Sequence, residues 1–152
     1  MAGGPTDGVP RAVLFACGQN SIRSPMASAL MRHFHGHRTY AISAGVRVGR
    51  TSPFAIEVMR EIGLDISAHA PRSLAGLHDT NFDLVVTLAP EAHHRALEMT
   101  RTMAVDVEYW PTEDPSLITG NRDQVLGAYR RVRDGLSRRI LTRFATTSPA
   151  NP

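Results

Sequence analysis

Residues 13–27 constrain this chain more than any other stretch. The apolar run Val13-Leu14-Phe15-Ala16 reaches the only cysteine, Cys17, and then breaks into the short polar loop Gly18-Gln19-Asn20-Ser21-Ile22-Arg23-Ser24. Pro25 suits the first turn of a helix, and Met26, Leu30 and Phe34 then recur at helical spacing. A strand that feeds a tight loop and then a helix turns backbone N–H groups inward, and the helix adds the positive end of its dipole. The result is an anion cradle. A thiolate at the mouth of such a cradle is the reactive form of cysteine. Arg23, six residues on, offers a planar fork that matches two oxygens of a phosphate-like ligand.

The rest of the chain supplies a scaffold for that loop. Four strand candidates, residues 12–16, 40–43, 84–88 and 105–109, alternate with helical patterns, which predicts one α/β domain with a parallel sheet and helices on both faces. The first and third are apolar throughout, as strands covered on both sides are. The second and fourth alternate and are expected at the edges. Right-handed crossovers between near neighbours then give the order 2-1-3-4, with Cys17 at the carboxyl end of strand 1, where the order reverses and ligands bind. Ser52-Pro53 opens a second helix with Val58, Met59 and Ile62 inward and Gly63 as its stop, and Pro90-Glu91 begins a third. In the last helix Val125, Tyr129, Val132, Leu136 and Ile140 form an apolar stripe, while Arg130, Arg131, Arg133, Arg138 and Arg139 are expected on a solvated face. The domain is expected over residues 11–144, between mobile tails at residues 1–10 and 145–152.

Charge and cysteine count narrow the function classes. A net charge of +3, carried by 17 arginines and no lysine, suits anionic ligands but is not the footprint of a dedicated nucleic-acid binder. One cysteine excludes an internal disulfide and points to a reducing compartment. With no signal-peptide pattern and no apolar run of spanning length, the expectation is a cytoplasmic protein with no membrane partner.

The loop from Cys17 to Ser24, with Asn20 and Pro25, resembles the signature loop of the low-molecular-weight protein tyrosine phosphatases and of the arsenate reductases built on the same fold. Ser43-Ala44-Gly45, Ser67-Ala68-His69 with Arg72, and Glu113-Asp114-Pro115 resemble further segments of that family in the same order. The resemblance implies a flavodoxin-like arrangement and a phosphomonoesterase that works without metal or other cofactor. Cys17 would be the nucleophile, Arg23 the clamp on the transferring group and Asp114 the general acid. Residues Gly18, Gln19, Asn20, Ser21, Ile22 and Arg23 would bind the substrate. Asn20 would bend the loop, held by Ser43 and His69, and Ser24 would donate a hydrogen bond to the thiolate. The implied substrate is a phosphorylated protein, with phosphotyrosine the default, or a small phosphomonoester.

Plainer readings stand beside these. Cys17 can be a buried structural thiol, Ser24 a helix N-cap, Asp114 a turn-former before proline, and Ser43 and His69 ordinary polar loop residues. Glu113 is an alternative acid. His33, His35 and His37 lack a partner at a recognised ligand spacing, so no metal is expected. The chain also departs from the family: Gly18 replaces an apolar residue, Gln19 a glycine, and Ser116-Leu117 the aromatic pair of phosphotyrosine-specific members. A phosphotyrosine ring would lose stacking partners. Arg47 and Arg50 are expected to give the mouth a basic rim or to be solvated surface. Two other functions remain open: an arsenate reductase using an external thiol or redoxin, and a phosphate- or phosphopeptide-binding module without turnover. A cysteine protease fits less well, because nothing in the sequence pairs a histidine with Cys17.

Overall fold

The computed structural model describes residues 9–77 and 81–145; the parts of the expected tails at residues 1–8 and 146–152 lie outside the described residues. The elements are β1 (Ala12–Cys17), α1 (Arg23–His35), β2 (Tyr40–Gly45), α2 (Pro53–Arg60), β3 (Leu84–Thr87), α3 (Pro90–Met99), β4 (Asp106–Tyr109), a short 3-10 turn (Pro115–Leu117) and α4 (Arg122–Arg143). The sheet is parallel throughout, in the expected order β2-β1-β3-β4.

Strand periodicity divides the core in two. Val13 and Phe15 face one side of the sheet and pack with Met26 and Leu30 of α1, Val58 and Met59 of α2 and Leu136 and Ile140 of α4. Leu14 faces the other side and packs with Ile42, Val85 and Ala96 of α3. Each fully buried Leu, Phe or Met contributes about 1.5–3 kcal/mol, so β1, buried from Val13 to Cys17, anchors the loop that follows it.

Three expectations from periodicity change. The first concerns β2, which is an edge strand yet buried from Ala41 to Gly45. The chain around Ser73 caps its open side: Gly45 donates to the Arg72 carbonyl and Leu74 donates to the Gly45 carbonyl. The second concerns Ile62, which is 43% exposed. Helix α2 ends at Arg60 and Gly63 takes φ +81°, so Ile62 has left the helical register. The third concerns Arg133, which is buried rather than solvated. Its guanidinium donates to the Val58 carbonyl at 2.8 Å and to Glu61 at 2.8 Å, tying α4 to the end of α2. No helix among the described residues is long and apolar enough to cross a membrane.

Candidate active site

The loop between β1 and α1 is shaped from outside. The carbonyls of Cys17, Gly18, Gln19 and Ser21 accept hydrogen bonds from the backbone N–H groups of Val46, Arg47, Gly49 and Ser52, at 2.8–3.0 Å. The Asn20 carbonyl accepts from His69 Nε2 at 3.2 Å, and the Ile22 carbonyl from Met26 N at 3.1 Å within the helix. Six successive carbonyls therefore point outward. In a planar trans peptide the N–H opposes its own C=O, so the amides of residues 18–23 turn toward the inside of the loop. Helix α1 begins at Arg23 with Ile22 as its N-cap and no side-chain cap bond. An uncapped helix start of this kind suits an anion.

Asn20 makes this turn possible. Its φ of +57° lies in the left-handed region, where Asn is among the more tolerated residues. The side chain is fully buried and turned away from the cavity. Its amide donates to Ser24 Oγ and Ser43 Oγ, each at 2.9 Å. Its Oδ1 accepts from Arg72 N at 2.9 Å and from His69 Nε2 at 3.1 Å. Both neighbours of His69 Nε2 are acceptors, which assigns the ring proton to that nitrogen. Burial lowers the His69 pKa against the raising effect of the Asn20 carbonyl, and Arg72 and Arg32 lower it further. The shift favours the neutral ring, which donates from the same nitrogen. Gly45 completes the brace: a Cβ there would lie 2.6 Å from Asn20 N and 2.8 Å from the Gln19 carbonyl carbon.

Cys17, 2% exposed, closes the floor of the cleft. Its Sγ lies 2.9 Å from Ser24 Oγ. Ser24 sits one residue inside α1 and caps nothing; its bonds go to Cys17, Asn20 and the Ala44 carbonyl. The cleft above Cys17 is lined by the loop residues Gly18, Gln19, Ser21, Ile22 and Arg23. Arg47, Glu91, Asp114 and Ser116 complete the wall. Arg23 is fixed by donation to the Thr112 carbonyl at 2.9 Å, with Nη2 3.9 Å from Asp114 Oδ2.

Asp114 and Glu113 separate in space. Asp114 caps the 3-10 turn through Oδ1, which accepts from Ser116 N at 2.9 Å and Ser116 Oγ at 2.7 Å, so the turn-forming reading of this residue holds. Its Oδ2 is the oxygen turned toward Arg23. Glu113 lines a different groove with Trp110 and lies 4.0 Å from Arg131. Of the three clustered histidines, His33 packs on Phe34 while His35 is buried against Phe144. Among the described residues no group of three His, Cys, Asp or Glu side chains is placed to hold a metal ion.

The sequence reading missed Glu91. It stands in the first turn of α3 and forms a two-pronged ion pair with Arg47, Nη1 to Oε2 at 2.7 Å and Nη2 to Oε1 at 3.2 Å. The rim expected to be basic therefore carries a paired charge at Arg47. The Arg47 hydrogen bond and charge hold the Glu91 carboxyl below its ordinary range against the opposing effect of burial, with a further contribution from Arg23. Only the Pro90-Glu91 helix start hinted at this position.

Comparison with known proteins agrees with this geometry. An arsenate reductase of Bacillus subtilis (strain 168) is 33% identical over 135 residues, 89% of this chain and 95% of that protein. A solved structure of an arsenate reductase in the phosphate binding state superposes with a TM-score of 0.70 at 27% identity, over 89% of this chain and 97% of the other. A low molecular weight protein tyrosine phosphatase from T. tengcongensis gives a TM-score of 0.67 at 27% identity, over 87% and 95%. The family described as low molecular weight phosphotyrosine protein phosphatase matches residues 12–145, nearly the whole domain. By its sequence, its sheet order and the loop at the end of β1, the chain belongs to the low molecular weight phosphotyrosine protein phosphatase family.

Proposed function

We propose that the protein is a phosphomonoesterase acting through a cysteinyl-phosphate, on a phosphorylated protein such as a phosphotyrosine protein or on a small phosphate ester. The observation that carries this reading is the run of outward-bonded carbonyls from Cys17 to Ile22. It leaves a ring of inward amides around a buried sulfur. In the first step Cys17 Sγ attacks phosphorus and the P–O bond to the leaving group breaks. Asp114 gives that oxygen its proton. The charge on the three equatorial oxygens is met by the amide ring and by Arg23, whose contact tightens as the transition state forms. In the second step water attacks phosphorus, Asp114 takes its proton, and the P–S bond breaks to free Cys17 and inorganic phosphate. Ser24, 2.9 Å from the sulfur, donates to the thiolate in both steps. A nucleophilic thiol that must stay reduced suits the cytoplasm, which is the proposed location.

The test is hydrolysis of an aryl phosphate with chelator present. Cys17→Ser is expected to abolish turnover while retaining inorganic phosphate binding, and Asp114→Asn to lower kcat by roughly 10²–10⁴-fold. Turnover that survives in Cys17→Ser would remove the proposal.

The names of the relatives favour a second reading. With one cysteine, arsenate reduction would need an external thiol. Cys17 would displace water from arsenate, and the external thiolate would then attack Cys17 Sγ. The As–S electron pair returns to arsenic as As(III), releasing arsenite and leaving a mixed disulfide. Arsenate loss that depends on added glutathione or a reduced redoxin measures this directly.

A further inference from the structure

The rim of an anion site holds a carboxylate, and that placement calls for a physical reason. Glu91 repels any oxyanion approaching the amide ring unless its charge is matched, and Arg47 matches it in a forked contact. The pair rests on a bare Cα: a Cβ on Gly18 would stand 2.6 Å from Glu91 Oε1 and 3.6 Å from Arg47 Nη2. Gly18 is the loop residue that follows Cys17, so the pair lies directly over the start of the cradle. It spans two loops that approach from opposite sides of β1. Arg47 follows β2 and Glu91 opens α3, and in the sheet β1 lies between β2 and β3. None of the side chains lining this cleft is aromatic, and Ser116 stands near Asp114.

We propose that the Arg47–Glu91 pair, seated on Gly18, is a specificity gate: with the pair closed the site takes a compact oxyanion or a phosphate ester with a slender alkyl group, and an aryl ester must break the pair to bind. The inference rests on the phosphate-site reading above and narrows its substrate class. Both side chains are partly exposed, 56% for Arg47 and 43% for Glu91. An exposed ion pair is weak because water screens it, so the gate imposes roughly a fivefold bias against aryl esters. It filters substrates without excluding them.

Two effects of Glu91 must be separated, its charge and its place in the gate. Methyl phosphate and phenyl phosphate carry the same charge near neutral pH, so loss of the carboxylate charge tightens both alike and cancels in their ratio. The experiment is calorimetric titration of inorganic phosphate, methyl phosphate and phenyl phosphate into Cys17→Ser, which turns nothing over, and into Cys17→Ser combined with Glu91→Ala or with Arg47→Ala. Opening the gate is expected to improve phenyl phosphate relative to methyl phosphate by about fivefold in both combined variants. Equal tightening of both esters in the Glu91→Ala background, or an unchanged ratio in the Arg47→Ala background, overturns the gate and leaves the phosphate site standing. Failure of inorganic phosphate to bind Cys17→Ser overturns the site reading, and the gate with it.

Discussion

Asn20 bends the loop through a left-handed backbone, a local property of the eight contiguous residues from Cys17 to Ser24. What holds the bend is not local: Ser43, His69 and Arg72 reach Asn20 from 23, 49 and 52 residues away. Resemblance, not spacing, named the first two. The Arg47–Glu91 contact spans 44 residues, and nothing local in the sequence paired the two, although Arg47 stood out as a rim candidate and Glu91 as a helix start. Asp114 and Glu113 are adjacent in sequence and diverge only because the turn at Pro115 directs one inward. Asn20→Ala removes a buried amide with four bonded neighbours and leaves a left-handed backbone on a residue that disfavours it. The expected cost is about 2–4 kcal/mol from stranded partners and strain. It should appear as a lower denaturant midpoint, with weaker vanadate inhibition because the amide ring loses its shape. A midpoint equal to wild type would show that the loop holds itself.

Among the elements, strand order was legible because the central strands are apolar throughout while the edge strands alternate in sequence, even though the chain around Ser73 buries β2 as well. The boundaries and partners of helices were less so. The stripe on α4 placed Val132 and Leu136 inward correctly, but Arg133 departs from it because a carboxylate and a carbonyl at the end of α2 compensate its burial. Glu61 is the centre of that joint. Arg130 and Arg133 both donate to it, and these bonds lower its pKa from 4.5 to about 2. Glu61→Gln keeps the shape and removes the charge that Arg133 faces. The joint is about one-third exposed at Glu61, so solvent screening limits the expected loss to about 1 kcal/mol at pH 7. A folded pKa below the unfolded value means stability that is complete above pH 4.5 and lost as pH falls toward 2. The gap between wild type and Glu61→Gln in urea midpoints should therefore close over that interval. A gap that stays constant from pH 7 to pH 2.5 would show the joint to be packing alone.

For the whole molecule, one buried histidine, His35, and one half-buried histidine, His69, make stability sensitive to acid well above the carboxylate range. Burial lowers the pKa of His69 where it donates to Asn20. His35 is only 6% exposed, its Nε2 has no hydrogen-bond partner, and burial lowers its pKa, with the Arg38 and His37 charges lowering it further. Both folded pKa values lie below the ordinary 6.5. The unfolded chain therefore binds more protons as pH drops through 6.5, so stability is complete above that pH and declines below it. The carboxylate component follows only below pH 4.5, giving two successive steps. The histidine step joins distant parts of the molecule: His69 braces the loop at one end of β1, while His35 closes α1 against Phe144 at the end of α4. His35→Phe separates the two contributions. It keeps an aromatic ring against Phe144 and removes the buried nitrogen without a partner, which should raise stability by about 1 kcal/mol at pH 8. The advantage should widen as pH falls from 7 to 5, since wild type alone must then exclude a proton at that position. Denaturant midpoints of both proteins at pH 8, 6.5 and 5 measure it. An advantage that shrinks toward pH 5 would mean that the folded protein accepts the proton at His35 readily, and the histidine step would then have to come from His69 and the loop it braces.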